Sequence, residues 1–335
     1  MKEDGKNLEK MIKYKALIIG CGKIAGLYDD ITNNYIYSHT KAYIQNDNID
    51  LICCCDLNID NAKKLSSKYN IPNTHNNFLV ALKLYKPDIV SICTPDKTHY
   101  DVVISVLNSN YLPKVIFLEK PACQNEDELN RLISLSKEKD VQIVVNHSRR
   151  FDSLHKELKL KIENDQFGKL VKVDAVYYSG WQHNGVHIVD TLNFLFSDSL
   201  KFEQLLNNSN SPYEGDYNLD FKCRFKTSDT LVYIATMDEK YYQLFEFDFK
   251  FEKVRIRLED FGQRISYEEK EINSMNENIL VKKDFEKSLN NSSPMQSAIS
   301  KIVDFTRYNK ALEGYLIEDI SQTMKTIWEG QTWIK

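Results

Sequence analysis

Three clusters in this chain have residue types and spacings suited to chemistry. The first is Gly20-Cys21-Gly22-Lys23-Ile24-Ala25-Gly26, which fits G-x-G-x-x-G/A directly behind an apolar run at residues 15–20. In that pattern Gly20 allows a tight turn and Gly22 lets the backbone approach a pyrophosphate. Ala25 lets the next segment pack closely on a sheet. The first amides of a following helix would bind the phosphates. The second cluster is Glu119-Lys120-Pro121, and the third holds His183 and His187, spaced i,i+4. Glycine placement supports this choice. Of eleven glycines, three fall at positions 20–26, and Gly180 and Gly185 lie beside the histidines.

An acidic residue closing the second strand of such a unit binds the adenosine ribose hydroxyls, and Asp56 stands there. Residues 57–60, Leu-Asn-Ile-Asp, offer no arginine for a 2′-phosphate, which favours NAD over NADP. The plainer reading of Asp56 is a surface carboxylate at a strand end. The glycines and Asp56 are further apart than the usual ~20 residues. The excess lies in residues 27–38, a polar and aromatic insertion placed to cover the cofactor or reach the substrate.

Lys120 follows the fourth strand, at the edge where open α/β sheets bind ligands. An ammonium there would sit beside the nicotinamide and orient a substrate hydroxyl while stabilising developing alkoxide charge. The alternative is a solvated surface lysine.

The elements that must position these groups follow from periodicity. Residues 15–20, 51–56, 88–93, 115–118 and 142–146 read as buried strands, with helices near 39–46, 59–68, 78–85, 100–108 and 126–138. This alternation predicts a parallel, doubly wound (Rossmann) α/β sheet. The second half changes period. Residues 245–251 read F-E-F-D-F-K-F, and residues 254–259 alternate again, as antiparallel strands with one buried face do. Partner strands are expected at 170–179, 218–226, 230–237 and 262–270, with helices at 151–165, 185–196, 295–311 and 316–329. The organisation is therefore residues 1–148 as an NAD-binding domain and 149–335 as an α+β domain with a large, mostly antiparallel open sheet, for substrate binding and oligomerisation.

With these motifs in order across residues 14–196 (GCGKIAG, CTPDKTH, EKP, NHSRRF and GVHIVD), the chain resembles the Gfo/Idh/MocA oxidoreductases, named for glucose–fructose oxidoreductase and inositol dehydrogenase. The resemblance implies a nicotinamide-dependent dehydrogenase or reductase acting on a sugar, polyol or sugar nucleotide. It places the catalytic lysine on Lys120 and cofactor contacts on Gly20, Gly22, Thr94, Pro95, His99 and Glu119. The family's D-x-G-x-H falls on His183-Asn184-Gly185-Val186-His187, so His187 matches the acid/base histidine, able to exchange a proton near neutral pH. His183 stands where the family has aspartate. It is expected to line the substrate pocket, as is Asn184.

Other readings stay open at these positions. The histidine pair also admits a metal site or two structural histidines, but no third ligand is evident and no metal is expected. Trp181 and Gln182 suit a sugar face, and Trp181 suits a core equally well. Arg149 and Arg150 suit an acidic sugar or phosphate, or a surface ion pair at a helix start. Asp190 reads as a helix residue pairing locally.

Composition bounds the rest. With 335 residues, 42% hydrophobic, 27% charged and net charge −4, the chain fits a two-domain globular protein with no general attraction to nucleic acid or anionic membrane. No apolar run approaches a membrane span, and the charged start MKEDGKNLEKMIKYK has no signal-peptide core. Seven cysteines, three of them consecutive at 53–55, read as buried reduced thiols. A cytoplasmic homodimer or homotetramer acting on a small carbohydrate-like molecule is expected. Two other functions compete: a non-catalytic sensor of NAD or sugar on the same fold, and an enzyme that holds NAD tightly and uses it transiently.

Overall fold

The computed structural model describes residues 13–30, 32, 35–287 and 293–334. Residues 1–12, on which the absence of a signal-peptide core was read, lie outside them.

The first half builds one layer from β1 (Tyr14–Ile19), α1 (His39–Ile44), β2 (Ile49–Cys55), α2 (Ile59–Tyr69), β3 (Thr74–His75), α3 (Phe78–Tyr85), β4 (Ile89–Ile92), α4 (His99–Leu107), β5 (Val115–Leu118), α5 (Glu126–Lys139) and β6 (Gln142–Val145). All its strands pair in parallel, in the order β3-β2-β1-β4-β5-β6. Every residue of β4 and β5 is buried, as a sheet covered on both faces requires. The helices start where a side chain can take over an unpaired amide. Asn58, Asn77 and Asn125 accept from the first turns of α2, α3 and α5.

The second half contains α6 (Ser148–Phe151), α7 (Ser153–Glu163), β7 (Leu170–Tyr178), α8 (Val186–Phe196), β8 (Leu200–Asn210), β9 (Tyr217–Phe225), β10 (Leu231–Met237), β11 (Glu246–Phe251), β12 (Val254–Glu259), β13 (Arg264–Ile272), β14 (Asn278–Lys287), α9 (Pro294–Tyr308) and α10 (Ser321–Gln331). Its strands form one eight-stranded sheet, β14-β13-β12-β11-β7-β10-β9-β8, antiparallel throughout except for the β7–β10 pair. Phe247, Phe249, Ile256 and Leu258 point into the core from alternate positions. The opposite face carries a ladder of ion pairs, in which Asp248 meets Lys250 and Arg255, and Glu268 meets Arg255 and Arg257.

Three strands were not anticipated from the sequence. β3 is two residues long, and β8 and β14 are edge strands. β8 buries only Leu200 and Phe202 of its eleven residues, so it carries no sustained alternation for periodicity to detect. The chain also returns to its first layer after completing the second. Met295, Ile299 and Ile302 of α9 share a core with Ala16 and Ile18 of β1, and Tyr315 stacks on Phe151.

All seven cysteines are buried and unpaired. Among the described residues, no helix is long and apolar enough to cross a membrane.

Candidate active site

The glycine turn lies at the carboxyl edge of the parallel sheet. Gly20 has φ +88°, and a Cβ there would sit 2.6 Å from the Cys93 carbonyl oxygen, so this position brings the ends of β1 and β4 together. No atom lies within 4 Å of a Cβ placed on Gly22, which leaves its backbone open to a ligand. Ala25 is fully buried in one core with Ala16 and Ile18 of β1, and Gly26 packs closely too: a Cβ on Gly26 would be 2.4 Å from Leu65 Cδ1 of α2. The expected helix behind the glycines is one wide turn, Lys23–Leu27, and its first amides have no carbonyl behind them to bond.

Asp56, just past β2, holds this turn. Its Oδ2 accepts the Cys21 amide at 2.8 Å, and its Oδ1 accepts from the Asn58 amide at 2.9 Å. Thr94 and Pro95 lie just past β4, where the Thr94 hydroxyl is buried with no partner among the described residues, a group a ligand would satisfy. His99 does not face that space. Its ring is fully buried and ties the Thr94 carbonyl (2.8 Å) to the Pro121 carbonyl (2.7 Å), so it positions the loop instead of touching a cofactor. Lys23 is exposed, and Ile24 lines the cleft described next.

The insertion after the glycines folds back on itself. Buried Asp29 accepts the amides of Tyr37 (2.8 Å) and Ser38 (2.9 Å) and the Ser38 hydroxyl, and Ser38 in turn caps α1. The closed loop lays Tyr28, Tyr35 and Tyr37 along one wall of a cleft of about 570 Å³ between the two sheets.

Lys120 and His187 line this same cleft. Lys120 arrives from the end of β5, and His187 from the first turn of α8. Lys120 Nζ donates to the His183 carbonyl at 2.8 Å. Burial lowers its pKa, Asp96 and Glu119 oppose the shift, and Arg149 adds to it. His187 lies edge-on to Phe245, with ring centres 6.2 Å apart. Burial first, then the charges of Lys120 and Arg149, hold it well below the usual histidine range, so its ring is neutral at pH 7. Arg149 and Asn184 also line the cleft.

Four residues expected at the substrate lie elsewhere. The Trp181 ring is fully buried, donates to the Ile327 carbonyl at 2.9 Å, and packs against Phe221 and Gly330, so it is core. Gln182 turns outward to Gln331. The His183 imidazole leaves the cleft, meets Asp96 Oδ2 at 2.6 Å and stacks on Tyr213 at 3.9 Å. Residues 181–185 form one wide turn behind Gly180, so neighbouring side chains diverge. Arg150 is buried in a fork with Asp190 (2.8–3.1 Å) and also reaches the Gly314 carbonyl. Asp190 therefore pairs across 40 residues, not locally, and Thr323 donates to it as well. With their rings turned apart, His183 and His187 do not chelate together, and no metal-ligand group occurs among the described residues.

A buried polar chain backs the site, and of its members the sequence names only Glu119 as a site residue. Glu119 Oε1 accepts from Asn146 Nδ2 at 2.6 Å and meets His39 Nε2 at 2.7 Å. His39 Nδ1 meets Ser91 Oγ at 2.8 Å, which meets Tyr43 OH at 2.7 Å. Burial alone would raise Glu119, but the His39 bond and charge, the Asn146 amide and Lys120 bring it below the ordinary range. Glu119 thus stays an anion beside Lys120. His39 opens a helix behind a polar insertion, and nothing local in the sequence ties it to residue 119.

Residues 14–147 match the model of an oxidoreductase family with an NAD-binding Rossmann fold. The chain is 26% identical over 152 residues to the myo-inositol 2-dehydrogenase of Thermotoga maritima, covering 45% of this chain and 41% of that protein. It is 22% identical over 161 residues to the D-glucoside 3-dehydrogenase of Escherichia coli, covering 48% and 42%. Less than half of each relative is therefore spanned. Similarity of fold runs further. KijD10, a 3-ketoreductase from Actinomadura kijaniata solved with NADP and TDP-benzene, superposes with a TM-score of 0.77 at 12% identity, over 96% of this chain and 97% of that one.

Proposed function

With residues 14–147 belonging to the Gfo/Idh/MocA oxidoreductases, we propose that the chain is an NAD-dependent dehydrogenase or reductase working on a hydroxyl or carbonyl of a sugar, polyol or sugar nucleotide. One observation carries the reading: Lys120, from the end of β5, and His187, from the first turn of α8, line a single cleft at the carboxyl edge of the parallel sheet.

The residues present fit a dinucleotide. Gly22 leaves open space, the turn at 23–27 offers free amides, Thr94 has an unanswered hydroxyl, and Asp56 ends β2 without an arginine behind it. These would hold the pyrophosphate and the adenosine ribose, and Asp56 favours the free 2′-hydroxyl of NAD. A nicotinamide bound there supplies the hydride acceptor or donor. For oxidation, neutral His187 takes the hydroxyl proton on a free ring nitrogen, and the Lys120 ammonium stabilises the oxygen as negative charge develops. For reduction the same ring, protonated, returns the proton.

An assembly of two or four copies in the cytoplasm belongs to the same proposal, and buried unpaired thiols suit a reducing compartment.

The test is NAD reduction against polyols, sugars and sugar nucleotides, with Lys120→Ala and His187→Ala beside the wild type. Each substitution is expected to lower kcat by roughly 100-fold or more, with a smaller change in NAD affinity. Wild-type turnover in either variant would refute its assigned role.

A further inference from the structure

Arg149 and Arg150 are adjacent in sequence and opposite in surroundings. Arg150 is neutralised by the Asp190 fork. Arg149 lines the cleft, its guanidinium 3.9 Å from the centre of the Phe245 ring, and its only hydrogen bond among the described residues is from Nη2 to the Phe261 carbonyl at 2.9 Å. Its Nε is buried without a partner, and among the described residues no carboxylate lies within 4 Å of it. Phe245 also touches His187, so the guanidinium and the acid/base histidine flank one ring.

The rest of the cleft does not supply the missing anion. Two carboxylates line it, and both are engaged: Glu119 with His39 and Asn146, Asp152 with His155. Lys120, the other cation there, bonds only a carbonyl. A guanidinium withdrawn from water with no carboxylate in contact is costly: burial lowers this one to about 10, and the more distant charges of Asp152 and Asp190 oppose the shift without cancelling it. Its flat fork matches a carboxylate or phosphate better than it matches a neutral hydroxyl.

We propose that Arg149 anchors an anionic group on the substrate, so that the cleft takes a carbohydrate bearing a carboxylate or phosphate in preference to a neutral polyol. The inference rests on the dehydrogenase reading and narrows its substrate class. The anion would lie on the guanidinium, leaving a ring hydroxyl to Lys120 and His187.

The test pairs binding with turnover. Thermal shift with NAD present, and NAD reduction, are measured with glucose, glucuronate, gluconate and glucose 6-phosphate, for wild type, Arg149→Met and Arg149→Lys. In the wild type, at least one anionic compound should exceed glucose in kcat/KM by roughly 100-fold, mostly through KM. Whether that compound is a carboxylate or the phosphate identifies the anion. Arg149→Met should erase the preference, lowering kcat/KM for the anionic compound far more than for glucose, and Arg149→Lys, with the charge but not the fork, should fall between them. Equal treatment of charged and neutral compounds by the wild type overturns the inference, as does equal loss of both in Arg149→Met. Arg149-dependent binding of an anion without NAD reduction sustains the anchor and refutes the dehydrogenase reading instead.

Discussion

Lys120 and His183 meet through the main chain of the histidine. The ammonium donates to the His183 carbonyl at 2.8 Å, while the imidazole points the other way and pairs with Asp96 at 2.6 Å. The His183 amide is fixed too, donating to Asp216 Oδ2 at 3.0 Å. The side chain at 183 thus pins the turn to the loop after β4, and the backbone at 183 holds Lys120.

His183→Ala keeps the carbonyl that Lys120 uses. It should lower kcat by about tenfold or less, far short of the loss in Lys120→Ala. Asp96→Asn should reproduce that modest loss, because it weakens the same pairing from the other side. Steady-state kcat and KM for both variants check this. A His183→Ala enzyme as inactive as Lys120→Ala would give the imidazole a direct chemical role.

Asp56 has two duties, accepting the Cys21 amide and standing where the adenosine ribose would lie. Asp56→Ala should weaken NAD binding by about tenfold or more and NADP binding less, since only NAD offers the carboxylate a free 2′-hydroxyl. Titration of both dinucleotides is the measurement. A wild-type preference for NADP would reverse the assignment.

His147 is buried, and burial is the main reason its pKa falls to about 4. The folded chain therefore refuses a proton that the unfolded chain accepts below about 6.5. Its contribution to stability is complete above that value and drains away as pH falls toward 4, to a total of about 3 kcal/mol. His187, shifted in the same direction, steepens the loss. Urea unfolding between neutral pH and about 5 should show stability declining with acidity. His147→Leu should flatten the decline.

Asp190→Ala should be among the most damaging substitutions outside the cleft. It leaves Arg150 charged, buried and without its fork, at a cost of roughly 3–5 kcal/mol. The Arg150→Met/Asp190→Leu double variant removes both charges and should recover much of that loss, as chemical denaturation of the two proteins would show.

These residues also mark how far sequence alone reaches. Buried strands and the glycine turn follow from local pattern, and the ends of parallel strands locate Lys120 without further help. His187 follows from the resemblance of residues 183–187 to the family's D-x-G-x-H. What pattern could not supply is direction within a turn. Residues 181–185 occupy one turn, and only Asn184 of the four expected there at the substrate lines the cleft. Long-range partners were equally hidden. Asp190 looks local until Arg150 is seen beside it, and His39 gains meaning only from Glu119, 80 residues away.

The chain from Asn146 through Glu119, His39 and Ser91 to Tyr43 bears on how this protein can change over generations. Its members come from the ends of β5 and β6, from β4, and from both ends of α1, and each satisfies the next. Losing one strands a neighbour's polar atom in the interior, so the first step of any replacement is harmful even where the second would be neutral. Descendants would therefore keep the set entire or exchange adjacent members together. The Asp60–Lys63 pair on the exposed face of α2 carries no such tie, since water satisfies either partner when the other is lost.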